Sequence, residues 1–349
     1  MESKQSNAVF AAELEEASCG FATETLRQEN RSGDEMQLQA PCQKAVPSDK
    51  AQLLDRLPSW VFSLMLCSAS VIWGACFVSV KVVTEVIHPS TIIGIRFCLA
   101  SLFMLIFFFP RIRANWNRRA ALIGALYGLL YYLSYIFQVV GLTDTTPSKN
   151  AFIVGAAVIF VPFIYWILSR KRPTLLNVSM AFLCLIGLGL VTLSGDLTLR
   201  FGDAITMGSA IFFAAHIACV ARYSEGLDIF TLTFIQFAVC GLLAIVFGLL
   251  TETQPSLDQI LQPVMLAQLF FLAFVGAFLA PLFQNIGQTR VSASQAAIFL
   301  SLQSVFGTIF SILLYGEILT VKVAIGFVVI FTAVVLSELI PVKRGISNG

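Results

Sequence analysis

The feature of the sequence that most constrains its fold is a succession of long apolar runs without Asp, Glu, Lys or Arg. Eight such runs lie between residues 57 and 316, and two further apolar segments, 90–109 and 321–339, contain one and two charged residues. About 20 apolar residues cross a bilayer as a helix, because lipid offers no partner to an unpaired backbone group. A soluble domain buries one such helix but not ten in succession, so the sequence predicts an all-α integral membrane protein. The ten predicted spans lie near residues 60–82, 90–109, 120–141, 147–169, 174–194, 204–222, 229–250, 264–288, 292–314 and 321–340.

Charged residues are scarce and unevenly distributed along the chain. They make up 12% of all residues, against about 25% in a typical soluble protein. Residues 1–55 contain 10 of the 20 acidic residues but only five basic ones. This segment is also poor in aromatic residues and rich in Glu, Gln and Ser, which is typical of disorder. We predict a polar, disordered cytoplasmic tail, within which Met36 is an alternative start.

The positions of Lys and Arg predict the orientation in the membrane. The loops that follow even-numbered spans, together with the C-terminal segment, carry 11 basic residues, whereas the loops that follow odd-numbered spans carry four. Cytoplasmic loops of membrane proteins carry the excess of positive charge. Both termini are therefore predicted to be cytoplasmic, in a multi-pass protein of the plasma membrane. No charged segment with a cleavable apolar core precedes the first span, so a removable signal peptide is not expected.

One short phrase occurs twice in the chain. Residues 137–151 read FQVVGLTDTTPSKNA and residues 283–297 read FQNIGQTRVSASQAA, with six identical positions at an offset of 146. Two further pairs match at an offset of 140, namely Trp73-Gly74 with Phe213-Ala214 and Arg96-Phe97 with Gln236-Phe237. Because five spans separate the copies, the second copy is upside down with respect to the first.

These matches predict an inverted repeat of five plus five helices. The first repeat is expected at residues 57–195 and the second at residues 200–341. Such an architecture is characteristic of secondary transporters, whose two halves rock around a site near the midplane. A structural pseudo-dimer that transports nothing is the alternative.

Several segments resemble EamA-type permeases of the drug/metabolite transporter superfamily. They are WGACFVSVK at the end of the first span, IRF around Arg96, FVPFIYWILSRKRPT in the fourth span, AIFFAAHI in the sixth and LLYGEILT with Glu317 after the ninth. The resemblance covers residues 57–341 and implies ten helices and the movement of small metabolites, commonly export. One departure is SLQSVFG, where Gln303 and Ser304 replace a Glu-Pro pair, so the helix break expected there is in doubt.

Polar residues within the apolar spans are the candidates for a substrate cavity. Arg96 is expected to face the bundle, because a charge in lipid is costly. It either lines the substrate path or holds backbone carbonyls in place, and the sequence slightly favours the second role. Trp73 and Lys81 belong to the first span, and Lys81 is expected to reach water near the helix end. In the third span Tyr127, Tyr131, Tyr135 and Gln138 are spaced to share one face, suited to a cavity wall.

Three further candidates lie in the sixth, eighth and ninth spans. Gln284 occupies the place of Gln138 in the second copy of the phrase. Ser304 belongs to a stripe with Ser301, Thr308 and Ser311, which serves either a cavity or close helix packing. His216 is expected to be neutral and bonded to a carbonyl. Proton coupling is the alternative for His216, since an imidazole titrates near physiological pH, but no acid lies deep in a span to form a relay with it.

The sequence indicates a transporter rather than an enzyme. The two His residues form no ligand-spaced cluster, and no nucleophile motif or phosphate loop is present. We therefore predict no metal, no cofactor and no nucleic-acid partner. The predicted function is a permease that moves a small metabolite or drug-like solute by alternating access, in contact with membrane lipid. A non-transporting scaffold or receptor is the alternative, followed by a membrane-embedded enzyme. The substrate, the direction, the coupling ion and the oligomeric state stay open.

Overall fold

The computed structural model describes residues 57–145, 147–192, 200–315 and 321–339. The predicted tail, Glu317 and the C-terminal basic residues lie outside these ranges. Within the described ranges the regular structure is entirely helical. The helices are α1 (Ser59–Thr84), α2 (Pro89–Ala114), α3 (Arg118–Asp144), α4 (Pro147–Gly155 and Ala157–Ser169), α5 (Leu175–Thr192), α6 (Phe201–Tyr223), α7 (Ile229–Thr251), α8 (Pro263–Gln288), α9 (Ala293–Tyr315) and α10 (Val321–Leu339), with a single turn at Leu257–Ile260.

Eight of these helices are long and apolar enough to cross a membrane. They are α1 to α4 and α6 to α9, whereas α5 and α10 contain shorter apolar helices, Leu175–Leu190 and Val321–Leu336. The predicted all-helical membrane protein is therefore confirmed. The arrangement of ten spans as an inverted repeat stays a prediction.

Local sequence explains where several helices begin. The side chain of Asn117 accepts a hydrogen bond from the backbone N–H of Ala120 at 2.9 Å, and that of Asp228 accepts one from Thr231 at 2.9 Å. Such caps satisfy backbone donors that the first helical turn leaves without a partner. Pro89 and Pro263 occupy first helical positions, where the missing N–H is harmless.

Helix α8 contains a π-helical segment at Phe271–Leu279, between α-helical segments at Pro263–Phe270 and Ala280–Gln288. A π-helical turn is wider than an α-helical one and is frequent at functional sites. In contrast, α9 is continuous through Gln303 and Ser304. The helix break that was in doubt from the sequence does not occur there.

The bundle has an apolar surface, and its largely apolar interior also contains polar residues. Leu122, Ile167, Leu250 and Phe331 are large apolar side chains that are mostly exposed, as expected of a surface that contacts lipid. The interior buries 22 polar or charged residues among those described, Arg96 being one of them. In helix packing, α2 lies against α7, α5 against α10, α1 against α8 and α9, and α6 against α3 and α4.

Candidate functional site

A cavity lies mainly between α1 and α3, toward the end of the bundle where α1 turns into α2, and α2, α4, α6 and α9 each contribute one residue to its wall. Its volume is about 30 Å³, so the cavity is small and narrow in this conformation. The wall combines aromatic and aliphatic side chains with one cation and three neutral polar groups. The lining residues are Trp73, Cys76, Phe77, Val80, Arg96, Ser134, Tyr135, Gln138, Val139, Leu142, Val154, Phe213 and Gln303.

Arg96 is the charged residue of this lining. Its side chain is 1% exposed. Its Nε donates to the backbone oxygen of Leu272 at 3.4 Å, which is long for a hydrogen bond. The guanidinium carbon lies 5.4 Å from the ring centre of Tyr135 and 5.9 Å from that of Phe97. The cation therefore has a weak backbone contact and two aromatic neighbours.

Trp73 also contacts the π-helical segment of α8. Its indole N–H donates to the backbone oxygen of Gly276 at 3.1 Å. Since Arg96 contacts Leu272, two cavity residues from α1 and α2 hold carbonyls four residues apart in α8. The π-helical segment thus holds both side chains in position in the cavity wall.

The tyrosines of α3 divide between the cavity and the packed interior. Tyr135 lines the cavity, and Tyr131 packs against it with ring centres 5.0 Å apart. Tyr127 lies deeper and donates its hydroxyl to the backbone oxygen of Cys219 at 3.1 Å. All three are buried, so their rings face the bundle rather than lipid.

A second group of polar side chains fills the other end of the bundle. We call Tyr131, His216, Thr233, Gln236, Gln284, Asn285 and Gln288 the polar cluster. Asn285 donates through Nδ2 to Thr233 Oγ1 at 2.9 Å and to Gln236 Oε1 at 3.0 Å. Gln284 donates to Gln288 Oε1 at 3.3 Å, and Gln288 donates to the backbone oxygen of Ile217 at 3.2 Å. These bonds tie α8 to α6 and α7.

The polar cluster contains many buried atoms without a hydrogen-bond partner among the described residues. By strict hydrogen-bond geometry they are the Tyr131 hydroxyl, both ring nitrogens of His216, Gln236 Nε2, Gln284 Oε1 and Asn285 Oδ1. Two of these groups nevertheless have a polar neighbour: the Tyr131 hydroxyl interacts with that of Tyr135, and the His216 ring with the Gln236 amide. Leaving such an atom unpaired costs about 1–3 kcal/mol, so native proteins seldom tolerate several in one place. The group is therefore suited to hydration or to ligand contact in another conformation.

His216 packs by its ring instead of bonding to a carbonyl. Its ring centre is 4.6 Å from that of Tyr131 and 5.8 Å from that of Tyr127, and Phe213 stacks at 6.5 Å. The expected carbonyl partner is absent among the described residues. Within the same part of the chain no group of three or more His, Cys, Asp or Glu side chains is arranged to hold a metal ion.

The structure places seven of the ten sequence-predicted site residues at one of two positions in the bundle. Trp73, Arg96, Tyr135 and Gln138 line the cavity, whereas Tyr131, His216 and Gln284 belong to the polar cluster. The remaining three, Tyr127, Lys81 and Ser304, make single backbone contacts. Lys81 donates to the backbone oxygen of Leu142 at 2.9 Å, and Ser304 to that of Ala151 at 2.6 Å.

The sequence analysis missed Ser134 and Gln303 in the cavity and Asn285, Gln236 and Gln288 in the polar cluster as site residues. The sequence could have identified these five residues, because each is a polar residue inside an apolar run. Gln303 drew attention only as a departure from a family pattern. Gln236 drew attention only as the counterpart of Arg96.

Comparison with known proteins gives a consistent picture. The model of the EamA-like transporter family matches residues 60–193 and again residues 200–339. An uncharacterized transporter of Archaeoglobus fulgidus is 31% identical over 276 residues, covering 79% of this chain and 85% of the relative. The uncharacterized transporter YyaM of Bacillus subtilis is 27% identical over 287 residues, covering 79% and 92%.

A solved crystal structure shares the fold at 13% sequence identity. Its TM-score is 0.67, and the similarity covers 80% of this chain and 97% of the other. At this level of identity the likeness speaks for the fold alone.

Proposed function

The chain belongs to the EamA-like transporter family, and from this membership we propose that it moves a small solute through the cavity by alternating access. It is a membrane transporter, and the family implies a small-molecule substrate. In alternating access, two conformations expose one central site to the two sides of the membrane in turn. The cavity is the substrate site in the conformation described.

The contrast between the two ends of the bundle carries this proposal. At the α1–α2 end, neutral polar groups and one cation line an empty space. At the opposite end, the polar cluster is closed and buried, and several of its atoms lack a well-formed hydrogen bond among the described residues. Opening that end would hydrate these atoms and recover part of their desolvation cost. The polar cluster is therefore the closed gate of this conformation.

Matching glycines support a repeat of two related halves, residues 57–195 and 200–341. A Cβ on Gly141 would lie 2.7 Å from the backbone oxygen of Gly202, and a Cβ on Gly287 would lie 2.9 Å from that of Phe62. The glycines are 146 positions apart, and their contacts are 140 positions apart. Helix α3 thus meets the start of α6 as α8 meets the start of α1. These contacts favour ten spans arranged as an inverted five-plus-five repeat.

We place both termini in the cytoplasm and the protein in the plasma membrane. The α2–α3 end carries most of the basic residues, including Arg113, Arg118 and Arg119. With this orientation the cavity lies toward the outer face, and the polar cluster closes the cytoplasmic side. The proposed direction is export, which the family resemblance favours.

The experiment compares the solutes retained by sealed vesicles that contain the protein with those retained by empty vesicles, both loaded with a metabolite extract. The Val139→Trp variant fills the cavity, since Val139 is buried in its wall. The matched control is Leu122→Trp on the same helix, where the side chain is 74% exposed. Wild-type and control vesicles should lose the same solutes, and the filled variant should retain them.

Equal retention in wild-type and empty vesicles would contradict transport of any component of the extract. Loss of solutes from vesicles with the filled variant would place the path elsewhere in the bundle. Vesicles of opposite orientation, prepared in parallel, establish the direction. We expect the solutes to move from the cytoplasmic face to the outer face, and movement in the reverse direction would make the protein an importer.

A further inference from the structure

We propose that the cavity selects a small organic acid, whose carboxylate is held by Arg96. This inference rests on the proposed function, because it assigns a substrate class to the same cavity. It depends on three properties of the described residues: the free donors of Arg96, the charge of the lining, and the apolar remainder of the wall.

The first property is the unused hydrogen-bonding capacity of Arg96. A guanidinium presents five N–H donors in a planar fork. One of them, on Nε, contacts the Leu272 oxygen at 3.4 Å. The terminal Nη1 and Nη2 groups donate to none of the side-chain or backbone acceptors among the described residues, and the side chain lines the cavity. These groups form the edge of the fork that pairs with two carboxylate oxygens.

The second property is an unbalanced positive charge. Among the cavity-lining residues Arg96 is charged and the others are neutral. The ion pair found among the described residues joins Arg111 and Asp228, at the far end of α2. A buried charge without a counterion is unfavourable, and the rings of Tyr135 and Phe97 compensate it only in part. An anionic ligand would supply the missing counterion.

The third property restricts the rest of the ligand. Trp73, Phe77, Tyr135 and Phe213 contribute aromatic rings to the wall, and Val80, Val139 and Val154 contribute aliphatic groups. These surfaces fit an apolar body of small size. Ser134, Gln138 and Gln303 offer neutral hydrogen bonds to a second polar group. A dication or a polyanion would find no matching charges in this lining.

The alternative role for Arg96 is structural. In that case its contact with Leu272 would only position the π-helical segment of α8, and the chemistry of a ligand would not matter. The two roles predict different binding affinities for an acid and its amide. A carboxylate site separates an acid from its own amide, whereas a structural arginine does not.

The test measures binding to the purified, lipid-reconstituted protein by calorimetry. The probes are matched acid and amide pairs of rising size, from propanoate and propanamide to 3-phenylpropanoate and 3-phenylpropanamide. At least one acid should bind about 30-fold or more tightly than its amide, as expected for a buried charge pair. Arg96→Gln should abolish this preference, and Arg96→Lys should retain part of it because the charge remains without the fork. The control is Arg222→Gln, which removes an exposed arginine of α6 and should change nothing.

A second measurement uses the wild-type protein and so does not depend on the folding of a variant. Phenylglyoxal modifies arginine, and mass spectrometry follows the peptide that contains Arg96. The preferred acid should protect this peptide, and its amide should not. Acids and amides that bind or protect alike would overturn the substrate class. The vesicle experiment described above separates the two proposals. If vesicles with the wild-type protein still transport solutes, only the assignment of an organic acid as substrate fails. If no solute crosses, the proposed function fails as well.

Discussion

The rings of Trp73 and Phe213 meet edge to face with their centres 5.8 Å apart, although 140 residues separate them in the chain. Phe97 and Phe237, also 140 residues apart, lie at the same centre-to-centre distance. These are the counterpart positions that the sequence matches identified. Residues close to a two-fold axis contact their own counterparts, so both contacts agree with an axis through the middle of the bundle. The cavity borders the first of these two contacts, since Trp73 and Phe213 line it.

The matched glycines give the first prediction. Gly141→Ala and Gly287→Ala should each lower the thermal stability of the detergent-purified protein, since each new Cβ would lie closer than 3.0 Å to a backbone oxygen. Overpacking of this kind costs about 1–3 kcal/mol. The matched control is Gly307→Ala, whose Cβ would have its nearest contact at 3.7 Å. That variant should be as stable as the wild type or slightly more stable. If all three variants were as stable as the wild type, the close backbone contacts at Gly141 and Gly287 would not limit helix packing.

A pair of substitutions behind the cavity gives the second prediction. A Cβ on Gly276 would lie 2.6 Å from Cys76 Sγ but 3.9 Å from Cys76 Cβ. Gly276→Ala should therefore destabilise the protein by about 1–3 kcal/mol, and the additional change Cys76→Ala should restore most of this loss. Thermal unfolding of both single variants and the double variant measures the coupling. Strictly additive effects would mean that the sulfur is not what excludes a side chain at position 276.

The two glutamines of the repeated phrase give the third prediction. Gln138 lines the cavity, whereas Gln284 is buried in the polar cluster and bonds to Gln288 at 3.3 Å. Gln138→Leu and Gln284→Leu should both reduce transport by about tenfold, a loss of roughly 1.4 kcal/mol in a polar contact. The yield of monodisperse protein should stay near that of the wild type. Transport is measured per monodisperse molecule. Normal specific transport with a reduced yield would assign both residues to helix packing alone.

Sequence spacing indicates which α3 tyrosines share a face, because side chains four residues apart lie on one side of a helix whatever surrounds them. The role of that face as a cavity wall stays a prediction. The proposed repeat left a signal in the sequence for a similar reason, since Gly141 and Gly287 recur where another backbone approaches closely. The orientation in the membrane rests on the distribution of charge and stays a prediction.

Contacts between distant helices were not predictable. Lys81 is half-buried and donates to the Leu142 oxygen, because the end of α3 lies beside it, and its contact with water stays a prediction. The sequence does not mark the π-helical segment, whose residues are uniformly apolar. The polar cluster also depends on packing, since Asn285 meets Thr233 and Gln236 only when α8 lies against α7.

Labelling of two cysteines from the two sides of the membrane tests alternating access most directly. The variants are Gln138→Cys, Gln284→Cys and the double variant, each with the native cysteines replaced. They are reconstituted in sealed vesicles and treated with a membrane-impermeant maleimide. Gln138→Cys should react only from the face of the α1–α2 turn, and Gln284→Cys only from the opposite face. A bulky maleimide at position 138 should also suppress labelling at position 284, because it holds the cavity open and the polar cluster closed. Reaction of both positions from one face, or labelling of each regardless of the other, would contradict alternating access through this cavity.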